Sequence, residues 1–313
     1  MQRGGVLWSM IYRGSPGCGS MCFPSGLQRV IPLALKPIAK AIYYRVFRFQ
    51  LRIRIWLADR RKTPLSEVPV PPAILRFRVI ESLSVDKFLR IGAGGAELIR
   101  HHASDLGIDF ASTYRVLEFG CGCGRTIRWF LRDGGNAEFH GVDVDADAVD
   151  WCRKHLHRGH FLATTPVPPL PYPAEHFDFV YCLSVFTHLN ESMQDSWLAE
   201  LRRILKTGGV LLLTIYGNAA SKVLDAEGQR MLRTQGFVHR RSQKLRGLVP
   251  DWYHTTWHTR EYIVNRLSAW FGDVRYCVVP DGEQDVVTAR KAGSKHPPFG
   301  VGQQEAKLPG ATP

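Results

Sequence analysis

Residues 115–125, Arg-Val-Leu-Glu-Phe-Gly-Cys-Gly-Cys-Gly-Arg, restrict the fold of this chain more than any other stretch. An apolar run suited to a buried strand leads into three alternating glycines, and helical sequence resumes near Thr126. Gly120, Gly122 and Gly124 allow a tight bend with exposed backbone, which side chains would obstruct. In alternating α/β proteins such a turn stands at the carboxyl end of a parallel strand, where the crevice at a topological switch point receives a nucleotide. Spacing then decides among nucleotides. A dinucleotide turn needs its third glycine at position 125, and this chain has Arg125 there. The glycines alternate instead, and Glu118 lies two residues before the first of them, where a carboxylate can meet a cationic ligand.

Further segments follow in order. His140 to Asp145 reads as a short strand ending in carboxylates, with Asp143 twenty-three residues beyond Gly120, a distance at which an acid can accept both ribose hydroxyls. Asp145 and Asp147 are suited to cap and charge the first turn of the next helix. Phe177 to His188 reads as a buried strand running into a loop, Leu205 to Ile215 as a turn feeding a strand, and Gln284 to Lys291 as a closing strand.

This ordered series, over roughly 76–291, resembles the class I S-adenosylmethionine-dependent methyltransferases, whose acidic-x-Gly-x-Gly-x-Gly turn wraps the methionine half of the cofactor. The resemblance implies an α/β, Rossmann-like fold with a seven-stranded, mostly parallel sheet and helices on both faces. It implies S-adenosyl-L-methionine as cofactor, bordered by Glu118, Gly120, Cys121, Gly122, Gly124, Asp143, Val144, Thr165 and Leu183. One departure concerns the adenine: Thr164 and Thr165 stand where many relatives carry an acid or amide, so a backbone amide or threonine hydroxyl is left for that contact. The run Pro166 to Pro173 is expected to hold a rigid, extended edge beside the pocket.

Charge separates the amino-terminal region from the rest. Residues 1–62 hold twelve Lys or Arg and one acid, Asp59, and so carry +11 of the formal +13, leaving the body nearly neutral. Within them, Ile38 to Asp59 has helical spacing, with Ile38, Ile42, Val46, Phe49, Ile53 and Trp56 on one face and Arg45, Arg48 and Arg52 on another. Three readings stay open for this basic amphipathic helix: burial among anionic lipid headgroups, packing of its apolar face on the catalytic domain, and nucleic-acid binding. The chain divides into a leader (1–26) expected to have little order, the basic helical extension (27–62), a Pro-rich linker (63–75), the methyltransferase-like domain (76–291) and a polar tail (292–313). No run of eighteen apolar residues suggests a membrane span. The seven cysteines form no disulfide framework, which favours a reduced, cytoplasmic setting, with membrane association as a variant of it. Cys121 and Cys123 lack a second ligand pair at zinc-like spacing, so no metal site is expected.

Substrate contact falls to two regions. Ala73 to Gly107 suggests helices over the cofactor mouth, and Leu245 to Tyr262 gathers Trp252, Tyr253, His254, Trp257 and His258 before a helix near Thr259, as ligand wall or core. Methyl transfer by direct displacement needs alignment and, for a hydroxyl or protonated amine, removal of a proton. His188 and His258 are the candidate catalytic bases, with a loop-bonding role for the first and a helix-capping role for the second as the plainer alternatives. The segment after the fourth strand, Cys-Leu-Ser-Val, departs from the Asn-Pro-Pro-Tyr type of many amino-group methylases. A small-molecule, sugar or lipid-associated acceptor is therefore expected; RNA methylation and a non-catalytic, membrane-docking use of the fold are the alternatives.

Overall fold

The computed structural model of the 313-residue chain describes residues 32–60, 69–112, 114–133, 135–241, 254–280 and 282–293. The leader, Trp252, Tyr253 and the tail from residue 294 lie outside the described residues. A long helix α1 (Lys36–Arg60) precedes α2 (Ala73–Ile80) and α3 (Val85–Asp105). An alternating series follows: β1 (Arg115–Phe119), α4 (Ile127–Asp133), β2 (Glu138–Asp143), α5 (Ala146–His155), β3 (His160–Ala163), β4 (Phe177–Cys182), α6 (Glu191–Ile204) and β5 (Leu205–Ile215). Then come α7 (Ala226–Gln235), β6 (Phe237–Arg241), β7 (His254–His258), α8 (Arg260–Ser268), β8 (Gly272–Cys277) and β9 (Asp285–Arg290).

Seven strands form one sheet in the order β3-β2-β1-β4-β5-β9-β8, parallel except for β9, which runs against both β5 and β8. The chain leaves β1 towards β2 and β3 and returns on its other side through β4 and β5, so the switch point falls at the carboxyl end of β1. Alternation along the strands fills both faces. Val116, Phe179, Tyr181 and Leu212 enter a core with α3, α4 and α5, whereas Leu117, Val180, Cys182 and Leu213 enter one with α6 and α8. The expected sheet is therefore present. A separate two-stranded ribbon, β6–β7, lies between β5 and α8 and was not anticipated.

The basic helix differs from one of its readings. Its expected apolar face does not pack on the domain: Ile38, Ile42, Val46, Phe49, Ile53 and Trp56 are 43–65% exposed. A second, narrower face made by Phe47, Leu51 and Ile55 packs on Phe77 and Leu83 instead. At about 100° per residue the two faces lie on opposite sides of the helix, so the domain holds α1 without covering the wider stripe. Asp59 at its end accepts a hydrogen bond from the Ala73 amide (2.6 Å) and so joins α1 to the first turn of α2. No helix among the described residues is long and apolar enough to cross a membrane.

Candidate active site

The glycine turn is built by close approach. Gly120 and Gly122 have φ of +80° and +50°. A Cβ on Gly120 would meet Val185 Cγ2 at 2.2 Å, and one on Gly122 would meet Val79 Cγ1 at 2.7 Å. The amides of Gly120 and Cys121 both donate to the Val142 carbonyl at 2.8 and 3.0 Å, which ties the turn to the end of β2. Asp143, the last residue of β2, then faces the turn: Oδ2 accepts from the Gly122 amide (2.6 Å) and Oδ1 from the Asp145 amide (2.8 Å). Burial raises its pKa to about 6, against the pull of those two amides.

Glu118 has a different environment from the one its sequence position suggested. Strand alternation sends it to the same face as Val116, where it is 3% exposed, and Oε2 accepts from the Ile127 amide (3.1 Å) and the Tyr181 hydroxyl (3.3 Å). It lies beneath the turn and caps α4 rather than standing in the mouth. Burial pushes its pKa up to about 8, with the Arg125 charge and both hydrogen bonds working in the opposite direction.

Several supporting residues were not found from sequence. The Arg128 side chain is 1% exposed and donates to the carbonyls of Gly124 (2.6 Å), Cys123 (2.9 Å) and Pro69 (2.6 Å), clasping the turn from below. Burial lowers its pKa to about 10, which leaves it charged at neutral pH. Arg128→Ala is expected to destabilise the protein by about 3 kcal/mol or more, because each buried carbonyl left unpaired costs about 1–3 kcal/mol; urea unfolding measures this. Gly92 and Gly95 let α3 lie against the start of α4, since a Cβ on Gly92 would stand 2.1 Å from the Arg125 carbonyl and one on Gly95 3.1 Å from Leu183 Cδ1. The only sign of these in the sequence is the small-residue run Gly92 to Ala96. Above the turn, α2 is fastened by Arg125 donating to the Val79 carbonyl (3.3 Å) and by Arg78, whose Nη1 bonds Asp145 at 2.9 Å and Asp147 at 3.2 Å.

The remaining predicted residues fall at three places around the turn. Cys121 is buried in the turn and Gly124 follows it, with Gly124 donating to the Cys121 carbonyl at 2.9 Å. Val144 and Thr165 flank Asp143, whose carbonyl accepts from the Thr164 amide (2.9 Å); the Thr165 hydroxyl bonds the Val167 carbonyl (2.5 Å). Leu183 begins the loop after β4, where Ser184 takes φ +64° and bonds Gln284 and Thr214. A non-glycine residue in that region marks a constrained loop, and sequence reasoning missed it.

The two histidine candidates separate here. Nδ1 of His188 donates to the His254 carbonyl (2.5 Å), which fixes the tautomer and makes Nε2 the proton-accepting nitrogen. Burial holds its pKa below the ordinary histidine range. His258 is fully buried, its Nε2 meets Gln194, and burial lowers its pKa to about 3. As a catalytic base it is corrected: no acceptor can reach it, and its residue type at a strand end was a misleading signal. Thr259, not His258, caps α8. Strand β7 runs beside the loop after β4, with Thr256 donating to the Thr187 carbonyl (2.7 Å), so the second predicted substrate region meets the loop that carries His188, although Trp257 is core.

Residues 116–209 match the model of a family described as "Methyltransferase domain", which spans β1 to the start of β5 and includes the turn, Glu118 and Asp143. Over these residues the chain carries a methyltransferase domain, in line with the class I S-adenosylmethionine-dependent resemblance of its motifs. Over 101 residues, 32% of the chain, the sequence is 34% identical to a fatty-acid O-methyltransferase of Mycolicibacterium smegmatis, of which 36% is covered. Over 116 residues it is 28% identical to the mouse tRNA N(3)-cytidine methyltransferase METTL2, covering 34% of this chain and 30% of that one. The chain therefore spans about a third of the length of these curated relatives. A solved O-methyltransferase-like structure from Nostoc punctiforme aligns over 79% of this chain and 69% of its own, at 17% identity and a TM-score of 0.49. In the methyltransferase domain the glycine turn, Asp143 and the loop from Leu183 to His188 thus border one mouth at the carboxyl ends of β1, β2 and β4.

Proposed function

We propose that the protein is an S-adenosylmethionine-dependent methyltransferase that works on a lipid-associated acceptor at an anionic membrane surface. The observation that carries the methyltransferase reading is Asp143 facing the glycine turn across the switch point. The donor set fits the cofactor: the partly exposed Asp143 carboxylate suits ribose hydroxyls, and Glu118, buried beneath the turn, would add negative potential for a cationic sulfonium from below without touching it. When bound, S-adenosylmethionine supplies an electrophilic methyl group. The chain's own work is to hold and shield. Asp143 would hold the ribose, with Val144 and Thr165 beside it, while Gly120 to Gly124 give close backbone approach. Leu183, packed against Gly95 of α3, walls the mouth from water. His188 Nε2 would take the proton from an acceptor hydroxyl.

Proton release should accompany cofactor binding. Near pH 7 Glu118 is mostly protonated, and a cationic ligand favours its ionised form, so binding between about pH 6 and 8 expels protons. Titration calorimetry in two buffers of different ionisation enthalpy measures the number released, and Glu118→Gln should abolish most of it. The same titration, run with S-adenosylmethionine, S-adenosylhomocysteine and NAD, tests the cofactor itself; binding of NAD alone would sink the reading.

The membrane and the lipid-associated acceptor rest on α1. Its stripe from Ile38 to Leu57 faces solvent, and Lys40, Arg45, Arg52 and Arg54, also exposed, provide charge for anionic headgroups. Similarity to a fatty-acid O-methyltransferase points in the same direction, while that to a tRNA methyltransferase favours the second reading, RNA, which would use the arginines and leave the apolar stripe without a role.

A further inference from the structure

At the opposite end of β2 from Asp143, the sheet edge gathers a second set of chemically active side chains. Glu138 opens β2, and His140 lies two residues on, so both project from the same face. The parallel register sets His160, the first residue of β3, directly opposite His140. Glu138 Oε1 stands 2.9 Å from His140 Nε2 and 3.6 Å from His160 Nε2, and the three ligand atoms all lie within 4.8 Å of one another. Nothing in the methyl-transfer reading uses them.

We infer that Glu138, His140 and His160 form a binding site for a divalent transition-metal cation of the zinc type. Two imidazoles and one carboxylate are a donor set for such ions. With metal–ligand bonds of about 2.0–2.1 Å, tetrahedral coordination needs donor atoms about 3.3 Å apart, and the two measured separations from Glu138 bracket that spacing. For both separations shifts of a few tenths of an ångström suffice, and the His160 side chain is 62% exposed and able to turn. The other two ligands are already oriented. Arg115 Nε donates to Glu138 Oε2 at 3.2 Å, which leaves Oε1 towards the histidines. The Tyr172 hydroxyl lies 3.4 Å from His140 Nδ1, an outer-sphere partner on the nitrogen away from the metal position.

A surface cavity of about 480 Å³, lined in part by His140, His157, His160 and Tyr172, adjoins the two histidine ligands and would give the cation a route in and an open fourth position. This cavity is not the cofactor mouth. Five residues of strand separate Glu138 from Asp143, a distance of about 16 Å, so the cation would take no direct part in methyl transfer. What it would do is cross-link β2 to the edge strand β3, and through β3 fix the chain that returns to β2 at the Thr164–Asp143 bond.

The test uses the untagged, full-length protein after chelator treatment and chelator removal, titrated with Zn²⁺ against a chromophoric competitor and with Co²⁺ by visible absorption. One cation per chain is expected, with a four- or five-coordinate Co²⁺ spectrum and a rise in Tm on adding Zn²⁺. His160→Ala and Glu138→Gln should each remove the stoichiometric site and the Tm rise, and His101→Ala, an exposed histidine of α3, should change neither. Tyr172→Phe should weaken binding about 10–100-fold without changing stoichiometry. Because His160 is exposed, its replacement leaves the core intact, and circular dichroism of each variant checks this. Absence of stoichiometric binding, or binding undiminished in His160→Ala, would overturn the site. Neither result depends on methyl transfer, which the cofactor titration tests separately.

Discussion

Replacing Asp143 with alanine should lower affinity for S-adenosylmethionine by about 10- to 100-fold or more. The substitution removes the acceptor proposed for the ribose hydroxyls, and a hydrogen bond to a charged group contributes about 1.5–3 kcal/mol. It also frees the Gly122 and Asp145 amides, now held at 2.6 and 2.8 Å. Asp143→Asn keeps an oxygen for one of those amides but loses the charge, so it separates turn geometry from ligand charge: its affinity should lie between wild type and Asp143→Ala. The pH profile gives a second sign. Because the Asp143 pKa is raised to about 6, wild-type affinity should fall as pH drops through 6, where the carboxylate gains a proton and loses acceptor capacity. Calorimetry between pH 5 and 8 measures both effects. Affinity unchanged in Asp143→Ala would remove the ribose assignment.

The second large effect concerns the surface of α1. The double substitution Phe49→Glu and Ile53→Glu should abolish sedimentation with vesicles rich in phosphatidylserine, because it sets two carboxylates in the middle of a stripe that would have to enter the headgroup region. Neither residue belongs to the cluster that joins α1 to the domain, which Phe47, Leu51 and Ile55 form with Phe77 and Leu83, so cofactor affinity and Tm should stay near wild-type values. Binding of the wild-type protein should weaken with salt and on neutral vesicles, since each basic residue near an anionic surface contributes about 1 kcal/mol. Retention of vesicle binding by the double variant would sink the membrane reading. RNA binding that persists in the double variant but falls when Arg45 and Arg52 become glutamine would move the assignment to nucleic acid.

Strands β1, β2, β4 and β5 were legible because each carried its own local signal: glycines after β1, carboxylates after β2, Phe-Asp at the start of β4, Gly-Gly before the core of β5; β3 and β8 carried none. What the sequence hid was contact between distant segments. Glu118 could have been assigned from strand parity alone, since it shares a face with Val116, but its hydrogen bonds to Ile127 and Tyr181 depend on how α4 and β4 approach. His258 looked reactive because a histidine beside aromatics resembles a pocket, and only the packing of Gln194 reveals a filled interior. The β6–β7 ribbon mixes histidine, threonine and arginine with single aromatics, so no apolar alternation marks it. For α1, attention to one apolar face concealed Phe47, Leu51 and Ile55, which are fewer yet are the ones the domain uses. The Glu138, His140 and His160 set is invisible without the register that puts residue 140 opposite residue 160.

The bond between Asp59 and the Ala73 amide makes the length of α1 a geometric variable. That helix ends where α2 begins, and α2 roofs the glycine turn through Val79 and leans on Asp145 through Arg78. If the stripe lies flat on a bilayer, the mouth has one compass bearing relative to the lipid plane, set by residue count. Removing a single residue between Leu51 and Asp59 would set the Asp59 bond about 100° out of phase with the packing of Phe47 and Leu51 on Phe77, so keeping that bond would swing the bearing while leaving every group in the mouth unchanged. Catalysis on a soluble acceptor would not register the change, whereas catalysis on a lipid would be lost: spatial aim, not chemistry, would then be the property that α1 encodes.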